Sequence, residues 1–222
     1  MLKAKRRKLK AIAYIYCTME QSYNEMLASL RTKDNILQQV LDDATHAVTS
    51  SLDIDIYRSL LHSIVSQQLS TKVADVIWSR FLDLFDGSYP SMEEVLTIPI
   101  ESLRGAGLSG QKSGYIKNVA EFASLNPMDF ESLMDKSDEE IIAYLTQIKG
   151  VGRWTVQMIL MFPMDRPDVF PVDDLGIQTK IKALYQIDDT GKALKKKLEA
   201  VAEKWSPYRT LACKYLWRHQ LT

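Results

Sequence analysis

Cysteine is nearly absent, with only Cys17 and Cys213 in 222 residues. Two thiols cannot build a disulfide framework, a four-thiolate metal site or an iron–sulfur cluster. Histidine is as sparse, and His46, His62 and His219 lie too far apart for metal-ligand spacing. A reducing, intracellular home is therefore expected. No apolar run is long enough to cross a bilayer, so no membrane partner is expected. Neither sign of charge dominates, because 28 Lys and Arg balance 28 Asp and Glu. Such a chain does not hold nucleic acid by bulk charge. Any such contact must rest on local basic patches and backbone amides. Strand patterning is weak throughout.

What is present is ordinary for a soluble globular protein, at 46% hydrophobic and 25% charged residues. The length suits one large domain or two small lobes. The first residues carry Lys3, Lys5, Arg6, Arg7, Lys8 and Lys10. Ala11–Cys17 is too short an apolar stretch for a secretory signal, and secretion is not expected. Residues 1–20 are read as a basic N-terminal extension, either a solvated tail, a DNA-binding arm or a stretch preceding a true start at Met19. Residues 21–222 form the folded domain.

Helical periodicity dominates that domain. It predicts an amphipathic helix over Leu27–Leu41, a buried one over Tyr57–Ser66, and another over Ser70–Phe85 closed by Asp86-Gly87. Ser91 before Glu93 and Glu94 marks a helix cap, and Pro99 opens a short helix at Ile98–Leu103. A glycine-rich turn at Gly105–Gly110 leads into Gln111–Ser124, which Asn126-Pro127 ends. Ser137 with Glu140 is a capping-box pattern for Asp138–Gln147. Arg153–Met161, Asp173–Tyr185, Lys192–Lys204 and Arg209–His219 complete the set, with Phe162–Val172 a Pro-containing loop. An all-α fold follows.

Three segments carry chemistry. In Ile148-Lys149-Gly150-Val151-Gly152-Arg153-Trp154 two helices meet across a tight glycine turn. Glycine admits positive φ and close backbone approach. Amides at the second helix's N-terminus then suit an anion such as a DNA phosphate, with Lys149 and Arg153 as flanking charge. An ordinary helix–helix turn is the alternative. In Phe170-Pro171-Val172-Asp173-Asp174-Leu175 two carboxylates open a helix. One can cap it, and its neighbour would project into whatever the loop borders. In Ser66-Gln67-Gln68-Leu69 two glutamines break an apolar helix. Leu69 is either a core residue or a wedge between base steps.

Taken together, these segments resemble the helix–hairpin–helix DNA glycosylase superfamily, and within it the 3-methyladenine DNA glycosylase II family. The resemblance runs from about Tyr57 to Trp217. It includes Ser63–Leu69, Gly107-Leu108-Ser109-Gly110-Gln111-Lys112, Gly150–Thr155, Val169–Gly176 and Trp205-Ser206-Pro207-Tyr208-Arg209. Residues 1–56 lack the strand patterning of members with an extra β-sheet lobe, so the compact form is expected.

The resemblance implies two helical lobes with a DNA-binding cleft between them, the middle segment in one lobe and both chain ends in the other. It implies Asp174 as the catalytic carboxylate, with Asp173 structural. Trp154 stands where bifunctional relatives carry an attacking lysine, so base release without strand cleavage is expected. Trp154 and Tyr208 would line the base pocket. Leu69 matches the intercalating wedge and Gln68 its neighbour. Lys149, Gly150, Val151, Gly152 and Arg153 would meet the DNA backbone. The carbonyls of Thr146, Ile148 and Val151 would hold a structural Na or K ion, and no other cofactor is expected. Lys112 either contacts phosphate or is a solvated helix start. The expected partner is duplex DNA with alkylated bases, acted on by a monomer in the cytoplasm or nucleoid, or in a nucleus if the source is eukaryotic. Two alternatives remain: a relative acting on oxidised or mismatched bases, and a non-catalytic DNA-binding module.

Overall fold

A computed structural model describes residues 23–44 and 55–221. The expectations for the basic extension, Cys17 and His46 fall outside the described residues. Among those residues every regular element is a helix. Helix α1 covers 23–33 and is followed by α2 (Asn35–Asp42), α3 (Ile56–Ser66), α4 (Thr71–Asp83), α5 (Met92–Thr97) and α6 (Ile100–Gly105). Then come α7 (Gly110–Leu125), α8 (Phe130–Met134), α9 (Asp138–Leu145) and α10 (Arg153–Met161). The last three are α11 (Leu175–Tyr185), α12 (Gly191–Glu203) and α13 (Arg209–Arg218). None of them is long and apolar enough to cross a membrane.

The chain divides into two compact units, Met1–Thr49 with Phe170–Thr222, and Ser50–Val169. In the contiguous middle unit α3, α5 and α6 pack on α7, and α10 packs on α3 and α9. Leu60, Leu61 and Ile64 of α3, Ile116 and Val119 of α7, and Leu160 of α10 are fully buried. Each such side chain contributes roughly 1.5–3 kcal/mol of burial. Local signals set the helix starts. Ser91 with Glu94 and Ser137 with Glu140 both close as capping boxes. Each serine amide and hydroxyl donates to the glutamate, which holds both carboxyls below the usual range. Helix α8 was not foreseen; Asp129 starts it by accepting from the Ser132 amide at 2.8 Å. Arg166 anchors the proline loop by donating to the carbonyls of Met134 (2.8 Å) and Lys136 (3.0 Å).

The discontinuous unit departs from the expected Leu27–Leu41 helix. Asp34 breaks it in two, with extended backbone at φ −151°. Its Oδ1 accepts from the amides of Ile36 (3.0 Å) and Leu37 (3.2 Å), capping α2. Its Oδ2 accepts from the Tyr185 hydroxyl (2.8 Å) and Trp205 Nε1 (3.2 Å). A buried carboxylate is tolerated because four donors meet it. Burial and that bond push the Tyr185 phenol far up. Trp205 is fully buried and meets Phe170 edge-on at 6.1 Å. Helix α13 packs on both α2 and α11.

Candidate active site and nucleic-acid interface

In the middle unit, the turn between α9 and α10 is built on Gly150, at φ +104°. A Cβ there would lie 2.2 Å from the Tyr115 ring, so both the backbone and the packing demand glycine. Val151 is buried and its amide donates to the Ile148 carbonyl at 3.0 Å. Gly152 is different. It opens α10 at φ −92°, and a Cβ there would meet nothing within 4 Å. Neither the fold nor the backbone requires glycine at 152, whereas close approach by an outside group would. Lys149 is exposed and its carbonyl accepts from Asn118 Nδ2 at 2.9 Å. Arg153 does not simply flank the turn with charge as expected. Its guanidinium forks onto Glu139, with Nη1 donating to Oε2 at 2.9 Å and Nη2 to Oε1. That pairing holds the Glu139 carboxyl below its usual range.

Helix α3 stops at Ser66, and the chain turns through Gln68 in the left-handed region at φ 58°. Leu69 follows, 37% exposed for an apolar side chain. Core packing does not account for it. Lys112 is not a solvated helix start. It donates to the carbonyls of Val65 (2.8 Å) and Gln67 (2.7 Å) at the end of α3.

Gln68, Leu69, Gly152 and Trp154 line one cavity of about 930 Å³ within this unit. Trp154 keeps 38% of its surface exposed, so its ring is not a core residue. The cavity also holds groups the motifs did not reveal: His62, Trp78, Tyr89 and Phe162. His62 stands edge-on to Trp78, with centroids 4.9 Å apart. Burial pushes its pKa below the usual value, so the imidazole is neutral at pH 7. The Arg58 guanidinium lies 3.7 Å from the centre of the Tyr89 ring. A signal for this wall was in the sequence. Ser59, His62, Ser63 and Ser66 recur at three and four residues on an otherwise apolar helix, which marks one polar face.

In the discontinuous unit, Asp174 is the N-cap of α11. Its amide donates to the Pro171 carbonyl at 2.9 Å, and Gln178 Nε2 to the Val172 carbonyl at 2.8 Å, which pins the entering loop. Asp174 Oδ1 accepts from the Ile177 amide (2.8 Å) and from Trp217 Nε1 (2.9 Å). Two donors on one oxygen fix the plane of the carboxylate. Trp217, on α13, was not anticipated. Its ring fits because position 176 is glycine. A Cβ there would lie 3.1 Å from Asp174 Oδ1 and 3.3 Å from Trp217 Cδ1. One aspartate caps and its neighbour does not, as expected, but the capping residue is Asp174, the one the resemblance implies as catalytic. Asp173 pairs with Lys195. Tyr208 is half-buried at the N-cap of α13, with Lys33 Nζ 6.0 Å from its ring centre. Cys213 is fully buried, and burial with the nearby Asp174 charge pushes its thiol far up, so it is inert as a nucleophile.

Thr146, which ends α9, is exposed and Ile148 is buried. Among the described residues no three His, Cys, Asp or Glu side chains cluster as a metal site.

The family model described as HhH-GPD superfamily base excision DNA repair protein matches residues 61–207. DNA-3-methyladenine glycosylase 1 of Schizosaccharomyces pombe is 38% identical over 165 residues, covering 73% of this chain and 71% of that protein. The structure of S. pombe 3-methyladenine DNA glycosylase (Mag1) in complex with abasic DNA superposes with a TM-score of 0.79 at 32% identity, covering 87% of this chain and 95% of that one. The crystal structure of DNA-3-methyladenine glycosidase from Bacillus halodurans gives 0.75 at 35% identity, covering 87% and 88%.

Proposed function

This chain belongs to the HhH-GPD superfamily of base-excision DNA repair proteins and, within it, to the 3-methyladenine DNA glycosylase family; on that premise we propose that it hydrolyses the N-glycosidic bond of alkylated bases in duplex DNA and leaves the strand uncut. The observation that carries this reading is the Asp174 carboxylate, held by two donors at a helix start. As an alkylated purine leaves, the C1′–N bond breaks, the electron pair goes with the base, and the sugar becomes oxocarbenium-like. A fixed negative group beside C1′ stabilises that charge without reorganising. Water then adds to C1′ and releases a proton. The leaving base already carries positive charge, so little acid catalysis is required.

The other residues serve recognition. Trp154 offers a π-face to an electron-poor base, and its indole cannot form the covalent imine that a lysine there would. Tyr208 is proposed as a second aromatic wall. Gln68 and Leu69 would fill the gap left by the flipped nucleotide, and flipping costs a few kcal/mol in total. Lys149 and the backbone of Gly150, Val151, Gly152 and Arg153 would receive a phosphate. The carbonyls of Thr146, Ile148 and Val151 are proposed to hold a Na or K ion. Ile148 O accepts one amide and has a second lone pair for a cation. When bound, such an ion would add positive charge beside a phosphate. A compartment holding DNA, cytoplasm or nucleus, goes with this activity.

The test is a glycosylase assay on methylated duplex DNA. Free alkylated base with an intact strand is expected. Cleavage without added base or heat would mean lyase chemistry, and binding without release would mean a scaffold. Leu69→Ala is expected to slow single-turnover excision about tenfold while leaving thermal stability within about 1 kcal/mol, because the side chain is partly exposed. An unchanged rate removes the wedge assignment.

A further inference from the structure

In the loop bearing Gln68 and Leu69 the Leu69 amide donates to the Ser66 carbonyl at 3.2 Å. Gln68 is not glycine, yet it sits at φ 58°, which costs roughly 1–2 kcal/mol. Lys112, from outside the loop, and Gln67, at its root, hold its base. Lys112 Nζ donates to Val65 O (2.8 Å) and Gln67 O (2.7 Å), and Gln67 Nε2 donates to Gly150 O at 3.3 Å. The end of a helix is the negative pole of its dipole, so an ammonium there is favoured. Lys112 itself is fixed, because its amide donates to Ser109 Oγ at the start of α7 (3.2 Å). The root of the loop is therefore tied to both the first turn of α7 and the α9–α10 turn. Lys112 Nζ faces the α3 carbonyls rather than solvent, and a phosphate contact would compete with those two bonds.

We propose that Lys112 is a positioning residue for base flipping: it fixes the backbone from which Gln68 and Leu69 project, so the loop is ordered before DNA arrives. Preorganisation removes an ordering cost from the step in which the wedge enters the stack. The proposal rests on the glycosylase reading above.

The test compares Lys112→Met, Lys112→Arg, Leu69→Ala and the Lys112→Met/Leu69→Ala double variant, in the full chain. Single-turnover excision is measured on two duplexes carrying the same alkylated base. In one the lesion faces its pairing partner. In the other it faces an abasic site, so no pair has to break. Lys112→Met is expected to slow excision of the paired lesion about tenfold and of the unpaired one less than about threefold. Lys112→Arg restores most of the rate, because guanidinium also donates to carbonyls. The double variant is no slower than Leu69→Ala, because both changes disable one device. A thermal melt of each variant identifies a folding defect, which would slow both substrates equally. Equal slowing on both duplexes, or additive effects in the double variant, overturns the proposal. If the unaltered protein releases base from neither duplex, the glycosylase reading itself fails, and this inference with it.

Discussion

Replacing Asp174 with asparagine should abolish base release and leave the fold standing. Asparagine keeps an oxygen where Asp174 Oδ1 accepts from the Ile177 amide and Trp217 Nε1. The cap of α11 and the indole contact therefore survive, and asparagine is as good an N-cap as aspartate. The charge is lost while these two contacts stay. With no anion to oppose the developing cation, the single-turnover rate should fall by about 10³-fold or more. Affinity for alkylated duplex DNA should hold or rise, because one repulsion of the phosphates is gone. Asp174→Ala is a poorer probe. It removes the cap, which costs about 1 kcal/mol, and strands the Trp217 N–H. Near-normal turnover in Asp174→Asn, measured by release of labelled base, would remove Asp174 from the chemistry.

Gly150→Ala should have the largest effect on stability. The new Cβ would sit 2.2 Å from Tyr115 Cγ and 2.5 Å from two further ring atoms. The ring cannot retreat cheaply, since Tyr115 is on α7, on which much of the middle unit packs. The backbone adds its own penalty, because φ +104° lies where an L-residue is strained. Strain and overpacking together predict about 3–5 kcal/mol, or a fall in Tm on the order of 10 °C. Gly152→Ala is the control. Its φ of −92° suits any residue and its Cβ faces open space. It should melt within about 2 °C of the unaltered protein and yet bind duplex DNA more weakly, if a phosphate comes up to that backbone. A stable Gly150→Ala would show that the turn can be rebuilt, and a Gly152→Ala with full DNA affinity would free that turn from any phosphate.

These contrasts mark where sequence reading succeeds. Capping is written within four residues, so Ser91 with Glu94 and Ser137 with Glu140 were legible, and so were the bounds of α10. The split at Asp34 was not read, because apolar spacing runs on across it and the deciding donors, Tyr185 and Trp205, are 151 and 171 residues away. The short α8 was lost among the turn residues after Asn126. The same distinction holds in the site. Asp174, Trp154 and Leu69 were placed by motif, and the structure gives the partners of the first and the partial exposure of the other two. Asp174 caps α11 and is also the carboxylate proposed for catalysis, roles that the spacing alone does not place on one residue. Val65 O, Glu139 and Trp217, which Lys112, Arg153 and Asp174 respectively meet, lie 47, 14 and 43 residues from them. No local pattern encodes them. They emerge only once helices from separate stretches pack together.

The division of the chain has a consequence for how it is made. Ser50–Val169 is one uninterrupted stretch, while the half bearing Asp174 combines Met1–Thr49 with Phe170–Thr222. Domains fold as units while the nascent chain emerges from the ribosome. The half that bears Leu69, Gly150 and Trp154 can fold as soon as residue 169 is clear of the exit tunnel. The other half must wait for α13, because Trp217 is what steadies Asp174. A nascent chain would thus gain the surface assigned to gripping a nucleotide before the group assigned to releasing the base was set.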